Sequence, residues 1–109
     1  MNTSYLTAVA NDYSFEEVYS RLVKAKGRKG DILFAISTSG NSANIIKASQ
    51  TAKEMGLTVI GMTGNDGGQL KTCCDILIHI PSDDTQRIQE AHILIGHIIC
   101  QLVEENLFA

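Results

Sequence analysis

Apolar positions along the chain follow two alternating rhythms. Asp31-Ile32-Leu33-Phe34-Ala35-Ile36 and Leu57 to Met62 are near-continuous apolar runs, the pattern of strands buried on both faces of a parallel sheet. Ile76 to Ile80 forms a third strand, ended by Pro81-Ser82-Asp83-Asp84, and Tyr5 to Ala10 a short one ending at Asn11-Asp12. Between the strands the recurrence is helical. Phe15, Val18, Leu22 and Val23 mark one helix closed by Gly27, and Ile45, Ile46, Ala48, Ala52 and Met55 mark another that stops at Gly56. Ser14-Phe15-Glu16-Glu17 reads as a capping box, with Ser14 as the cap and Glu17 reaching back. From Thr85 a long helix carries Ile88, His92, Ile95, Ile99 and Leu102 on one stripe. Ile93, Cys100 and Val103 widen that stripe, which predicts burial on more than one side.

Strands alternating with helices through short loops predict a three-layer α/β/α sandwich with a parallel sheet, of the Rossmann/flavodoxin-like kind. Right-handed crossovers put the C-terminal ends of the strands on one edge, where such folds bind ligands. That edge collects Asn11-Asp12, the segment Ser37 to Ser42, and the Gly64 to Gly68 loop. At 109 residues the chain is one domain or part of one, and 44% hydrophobic and 19% charged residues suit a globular core. A net charge of −3 gives no electrostatic footprint for nucleic acid or an anionic membrane surface. No apolar run approaches the ~20 residues of a membrane span. Met1-Asn2-Thr3-Ser4 starts neither a basic nor an apolar leader. Cys73, Cys74 and Cys100 suggest no disulfide framework, so reduced thiols in a cytoplasmic protein are expected.

The chemistry concentrates in Ser37-Thr38-Ser39-Gly40-Asn41-Ser42, where four hydroxyls sit in six residues between a strand and a helix. The first-turn N–H groups of a helix have no intrahelical acceptor, and the dipole adds partial positive charge there. Gly40 gives the turn its dihedrals, and Ser42 or Asn41 is placed to cap the helix. Ser37, Thr38, Ser39 and Ser42 can each donate to a phosphate oxygen. An ordinary capped strand–helix turn has the same composition for purely conformational reasons. No Lys follows the glycine and the G-x-G-x-x-G spacing is missing, so a metabolite phosphate suits the segment better than a nucleotide.

Gly30 to Ser42, read as G-D-I-L-F-A-I-S-T-S-G-N-S, resembles the phosphosugar-binding signature of the SIS (sugar isomerase) domain. Thr85-Gln86-Arg87-Ile88-Gln89-Glu90-Ala91-His92, with His97, is similar to the final helix of the phosphoheptose isomerases. Asn11-Asp12-Tyr13 and Thr63-Gly64-Asn65-Asp66-Gly67-Gly68 fit the same family. The resemblance runs over practically all of residues 1–109. It implies one partial SIS domain, lacking the family's N-terminal helices and its first strand with a Gly-rich turn. By that resemblance Ser37, Thr38, Ser39 and Ser42 hold the substrate phosphate, Asp12 contacts sugar hydroxyls, and Gln89 and His97 face the reacting carbons. Some family members have an acidic residue where this chain has Gln86.

The implied reaction is the aldose–ketose isomerisation of sedoheptulose 7-phosphate to glycero-manno-heptose 7-phosphate, which feeds lipopolysaccharide heptose; this fragment is expected to be inactive unless the missing segment is supplied. Proton transfer between adjacent carbons through an enediol needs a base, an acid and a polarised carbonyl. An imidazole titrates close to neutral pH, so His97 can supply one of these. Gln89 lies eight residues earlier, two steps of four, so both project from roughly one side of the helix. The pair also offers two ligands for a divalent metal, zinc in some family members; two are too few for a site, and the others would lie on the missing segment. His92 and His79 are expected to be structural, with His79 pointing to a helix layer. Asp83-Asp84 is read as strand-end turn and helix N-terminal charge, and Asp66 as turn chemistry. A different class of function remains open, a phosphosugar-binding or protein-interaction module without catalysis; a relative of that kind assists replication initiation. A phosphosugar-sensing regulatory domain is weaker, because no DNA-binding segment is visible. The unmatched apolar helix predicts a homo-oligomer, which the resemblance makes a homotetramer.

Overall fold

The computed structural model describes residues 15–108. The expected strand at Tyr5 to Ala10, the Asn11-Asp12 pair and the Ser14 cap lie outside them. A 3-10 turn at Phe15–Glu17 leads into α1 (Val18–Lys26), followed by β1 (Ile32–Ile36), α2 (Ala43–Glu54), β2 (Thr58–Gly64), a 3-10 turn at Gly68–Thr72, β3 (Ile76–Ile80) and α3 (Thr85–Phe108). The strands pair in the order β1-β2-β3, all parallel, with Ile36 beside Met62 and Met62 beside Ile78.

The sheet separates two layers of helix. On one face Leu33 and Ala35 of β1 and Val59 of β2 pack with Ala52 of α2 and with Leu57, Leu70 and Cys73, and Val23 of α1 closes the cluster. Ala52, Val59 and Leu70 have no exposed surface. Gly56, at φ +83, ends α2 in a position that favours glycine, and the Leu57 and Gly56 N–H groups return to the Ala52 and Lys53 carbonyls. That paired arrangement satisfies two orphan carbonyls and drives Leu57 into the core before β2 begins. Asp75 fastens the start of β3, since its carboxylate accepts the Val59 N–H at 2.8 Å and Lys53 Nζ at 3.1 Å.

On the other face α3 packs against the end of β2, where Ile88 seats so closely over Gly64 that a Cβ there would lie 2.2 Å from Ile88 Cδ1. His92 is buried, with Nε2 2.8 Å from the Thr63 carbonyl, which bears out its structural role. Two sequence expectations fail on this face. β1 is not buried on both sides, because Ile32 and Ile36 are 63% and 52% exposed. α3 is not buried on more than one side either: Ile88 and His92 are its buried residues, and residues 102–108 are all exposed. The physical reason is length. A helix of 24 residues spans ~36 Å at 1.5 Å per residue, and a three-stranded sheet cannot underlie it. His79 is exposed rather than turned toward a helix layer.

Candidate active site

Three loops meet at the C-terminal edge of the sheet, and their main chains bond to one another. The Gly64 N–H donates to the Thr38 carbonyl at 2.8 Å, Leu70 N–H to the Gly40 carbonyl at 2.8 Å, and Asn65 N–H to the Ser82 carbonyl at 3.1 Å. Gly40 makes the closest approach. It has φ +74, and a Cβ on it would lie 2.0 Å from the Gly67 oxygen. Gly68 answers it across the gap at φ +54, where a Cβ would lie 2.6 Å from the Ser39 oxygen.

Neither candidate cap acts on α2. Ser42 occupies the N-cap position, but its hydroxyl turns to Ser37 Oγ at 2.9 Å. Asn41 sends its side-chain oxygen to the Gln69 N–H at 2.9 Å and thereby caps the Gly68–Thr72 turn instead. Ser37 is buried, and its Oγ also accepts the Gly40 N–H at 3.1 Å. Two hydroxyls carry two protons, and one is consumed between Ser37 and Ser42. The other remains available to an acceptor in the space they face. Ser39 Oγ accepts the Asn41 N–H at 3.0 Å, which leaves its own proton free. The Thr38 hydroxyl has no partner among the described residues, while its carbonyl holds Gly64.

These side chains line a cavity of about 780 Å³ that Asp66, Asp83 and Ser82 complete from the neighbouring loops. A second cavity, of about 670 Å³, adjoins it and is lined by Gln89, His97 and Cys100 of α3. Ile36 and Thr38 belong to both. The structure therefore brings Ser37, Thr38, Ser39 and Ser42 together in one chamber and places Gln89 and His97 in the next. Asp12 falls outside the described residues. Asp84 holds the Gln86 N–H at 3.0 Å and starts α3, as its helix-terminal reading requires. Asp66 takes the Gly68 N–H at 3.0 Å, the turn chemistry expected of it. What the sequence reading missed is that Ser82, Asp83 and Thr85 also line the first cavity. They follow β3, and the rule that strand C-termini share one edge, applied to β3 as well as β1, would have found them.

A family model for the SIS domain matches residues 1–64, which include β1, the serine loop and β2. The chain belongs to the SIS-domain family. This SIS domain is 55% identical over 108 residues to phosphoheptose isomerase of Clostridium acetobutylicum, a match covering 99% of this chain and 55% of the relative. It is also 55% identical over 106 residues to that of Rhodospirillum rubrum, covering 97% of this chain and 56% of the relative. Among solved structures, phosphoheptose isomerase from Neisseria gonorrhoeae superposes with a TM-score of 0.92 at 48% identity, over 94% of this chain and 59% of that one. The chain thus spans about half the length of the curated relatives it matches. The resemblance read from the serine loop and the final helix is borne out at the level of family and fold.

Zinc does not fit the described part of this SIS domain by itself. Gln89 and His97 supply two donors where a tetrahedral ion takes four. Among the described residues no group of three or more His, Cys, Asp or Glu gathers that could hold a metal. Nor is any helix of the described residues long and apolar enough to cross a membrane.

Proposed function

We propose that this SIS domain supplies the phosphate-binding chamber and one side of the catalytic chamber of a phosphoheptose isomerase. Its substrate is sedoheptulose 7-phosphate and its product D-glycero-D-manno-heptose 7-phosphate, the precursor of lipopolysaccharide heptose. One observation carries this reading: the hydroxyl-lined cavity and the cavity holding Gln89 and His97 adjoin through Thr38 and Ile36. A phosphate seated among Ser37, Ser39 and Ser42 leaves the sugar chain to run past Thr38 toward α3. Asp12 is assigned to the sugar hydroxyls.

In this reading the His97 imidazole takes the C1 proton while Gln89 donates to the C2 oxygen. The electron pair of the C1–H bond forms the C1=C2 bond while the carbonyl pair moves onto O2, which takes up the proton that O1 gives up; the protonated imidazole then returns its proton to C2 as the C1=O1 bond forms. Zinc enters only as an ion held by Gln89 and His97 together with donors from elsewhere. The assignment extends to a cytoplasmic homotetramer, supported by the apolar surface of α3, where Ile93, Leu94 and Leu107 are 62%, 61% and 69% exposed.

A second reading, a SIS-domain binding or protein-interaction module without turnover, is favoured by one feature. His92 is committed to the Thr63 carbonyl, which leaves His97 as the available imidazole of its cavity among the described residues. The deciding experiment follows conversion of sedoheptulose 7-phosphate by NMR. It uses the chain alone and the chain mixed with the part of the Clostridium acetobutylicum relative that the match leaves out. The isomerase reading expects the heptose product, with His97→Ala lowering turnover by about 10²–10⁴-fold while thermal stabilisation by the sugar phosphate persists. Stabilisation without turnover in either mixture selects the binding module. Neither turnover nor stabilisation overturns both readings.

A further inference from the structure

The serine chamber carries a charge pattern that its anion-binding role does not require. Asp66 and Asp83 line it, and they are its charged residues among those described; no Lys, Arg or His lines it. The carboxylates enter from two different loops, Asp66 between β2 and the Gly68–Thr72 turn and Asp83 between β3 and α3. Asp66 is held in place by the Gly68 N–H at 3.0 Å, and Asp83 has no hydrogen-bond partner among the described residues. An anion seated there meets neutral hydroxyls and the N-terminus of α2 in a chamber that two carboxylates also line.

Volume does not limit what enters. A cavity of about 780 Å³ is far larger than one phosphoryl group occupies, so shape alone would admit a diphosphate. Coulomb repulsion grows in proportion to the ligand's charge, and a diphosphate carries roughly twice the charge of a monophosphate near neutral pH.

We propose that Asp66 and Asp83 are specificity-determining residues that restrict the chamber to phosphomonoesters and exclude diphosphates and nucleoside diphosphates by charge. The inference rests on the phosphate-binding reading above and extends it to ligand class. With the phosphate among the serines, the sugar has the adjoining cavity past Thr38, which neither Asp66 nor Asp83 lines. A second phosphoryl group in the serine chamber instead shares it with Asp66 and Asp83, with no cationic side chain lining it among the described residues.

Calorimetric titration of the 109-residue chain with inorganic phosphate and with inorganic pyrophosphate, without divalent cations, tests this. Asp66→Asn keeps the oxygen that takes the Gly68 N–H, and Asp83→Asn alone disturbs no hydrogen bond among the described residues, so one informative variant folds even if the double variant does not. The wild-type chain is expected to bind phosphate more tightly than pyrophosphate. The double Asn variant should gain about threefold for phosphate and on the order of tenfold for pyrophosphate, since the logarithm of the gain scales with charge. Asp83→Asn should show the same ordering, reduced. Equal gains for both ligands, no gain, or tighter pyrophosphate binding by the wild type would overturn the proposal while leaving the chamber's role intact. Binding of neither ligand by the wild type overturns the chamber reading itself, and this inference with it.

Discussion

Gly40→Ala, compared with Gly30→Ala, separates backbone strain from steric overlap at the chamber wall. Both glycines have positive φ, +74 and +92, so an added methyl costs each about 1–2 kcal/mol of left-handed strain. Gly30 has nothing within 4 Å of the new Cβ, and its cost should stop there. At Gly40 the Cβ would lie 2.0 Å from the Gly67 oxygen and 2.6 Å from its carbonyl carbon, both main-chain atoms that cannot rotate away. Relief requires the two loops to part, which stretches the Leu70 N–H to Gly40 carbonyl bond at 2.8 Å and the Gln69 N–H to Asn41 bond at 2.9 Å. Overpacking of this kind costs about 1–3 kcal/mol and each lost hydrogen bond about 0.5–1.5 kcal/mol. Gly40→Ala should therefore lose about 2–6 kcal/mol more than Gly30→Ala, a large share of the ~5–15 kcal/mol that holds a small domain folded. Urea unfolding reads this directly, because at ~1–3 kcal/mol/M the midpoints should differ by roughly 2 M, and by no less than about 0.7 M. The stabilisation given by sedoheptulose 7-phosphate should disappear in Gly40→Ala and survive in Gly30→Ala. Equal midpoints for the two variants would refute the claim that main-chain contact between the loops shapes the chamber.

Ser37→Ala and Thr38→Val should behave oppositely. Ser37→Ala removes an acceptor of the buried Gly40 N–H and costs about 1–2 kcal/mol of stability along with phosphate affinity, whereas Thr38→Val removes an unpartnered hydroxyl and should shift urea midpoints little while weakening sugar-phosphate binding. Stability should fall in acid. Lys47 beside Glu17, and the Val59 N–H and then Lys53 beside Asp75, hold both carboxyls below their ordinary range. A depressed folded value means stability that is complete above the unfolded carboxylate range and lost as pH drops through the folded value. Melting temperature against pH should show that decline, and Asp75→Asn should flatten it. In sedimentation the chain should self-associate with rising concentration through the apolar surface of α3; a monodisperse monomer would contradict this.

How much of this was legible in the sequence depended on whether a feature was local. The β1 and β3 runs and the end of α2 before Gly56 came from period and punctuation alone, and the structure agrees to within about a residue. The capping of α2 was misread because the Ser42 and Asn41 side-chain oxygens found other partners. Ser42 pairs with Ser37 and Asn41 with the next turn, contacts that the local sequence pattern does not specify. Burial was overestimated for Ile32, Ile36 and Leu102, because hydrophobicity records what a residue needs covered and not what this chain has to cover it. Ser37 to Ser42 was legible as a chamber because a strand-to-helix turn is local. The carboxylates facing it were not, since Asp66 and Asp83 each have a sufficient local explanation as turn residues.

The two chambers differ in what holds them, and that difference separates binding from turnover. Ser37, Ser39 and Asn41 are fixed by hydrogen bonds within and between three loops that are welded through main-chain atoms. His97 and Gln89 stand exposed on α3 with no hydrogen-bond partner among the described residues. A general base acts efficiently only when its orientation is fixed by surrounding groups. Phosphate affinity should thus be a property of the single chain, while turnover should depend on whatever packs along α3. Measured per chain in the presence of the part of the relative that the match leaves out, turnover should rise with concentration over the range where sedimentation detects association, and the dissociation constant for inorganic phosphate should stay constant. Turnover strictly proportional to concentration throughout that range would show that His97 needs no such support, and the division of labour argued from these contacts would be wrong.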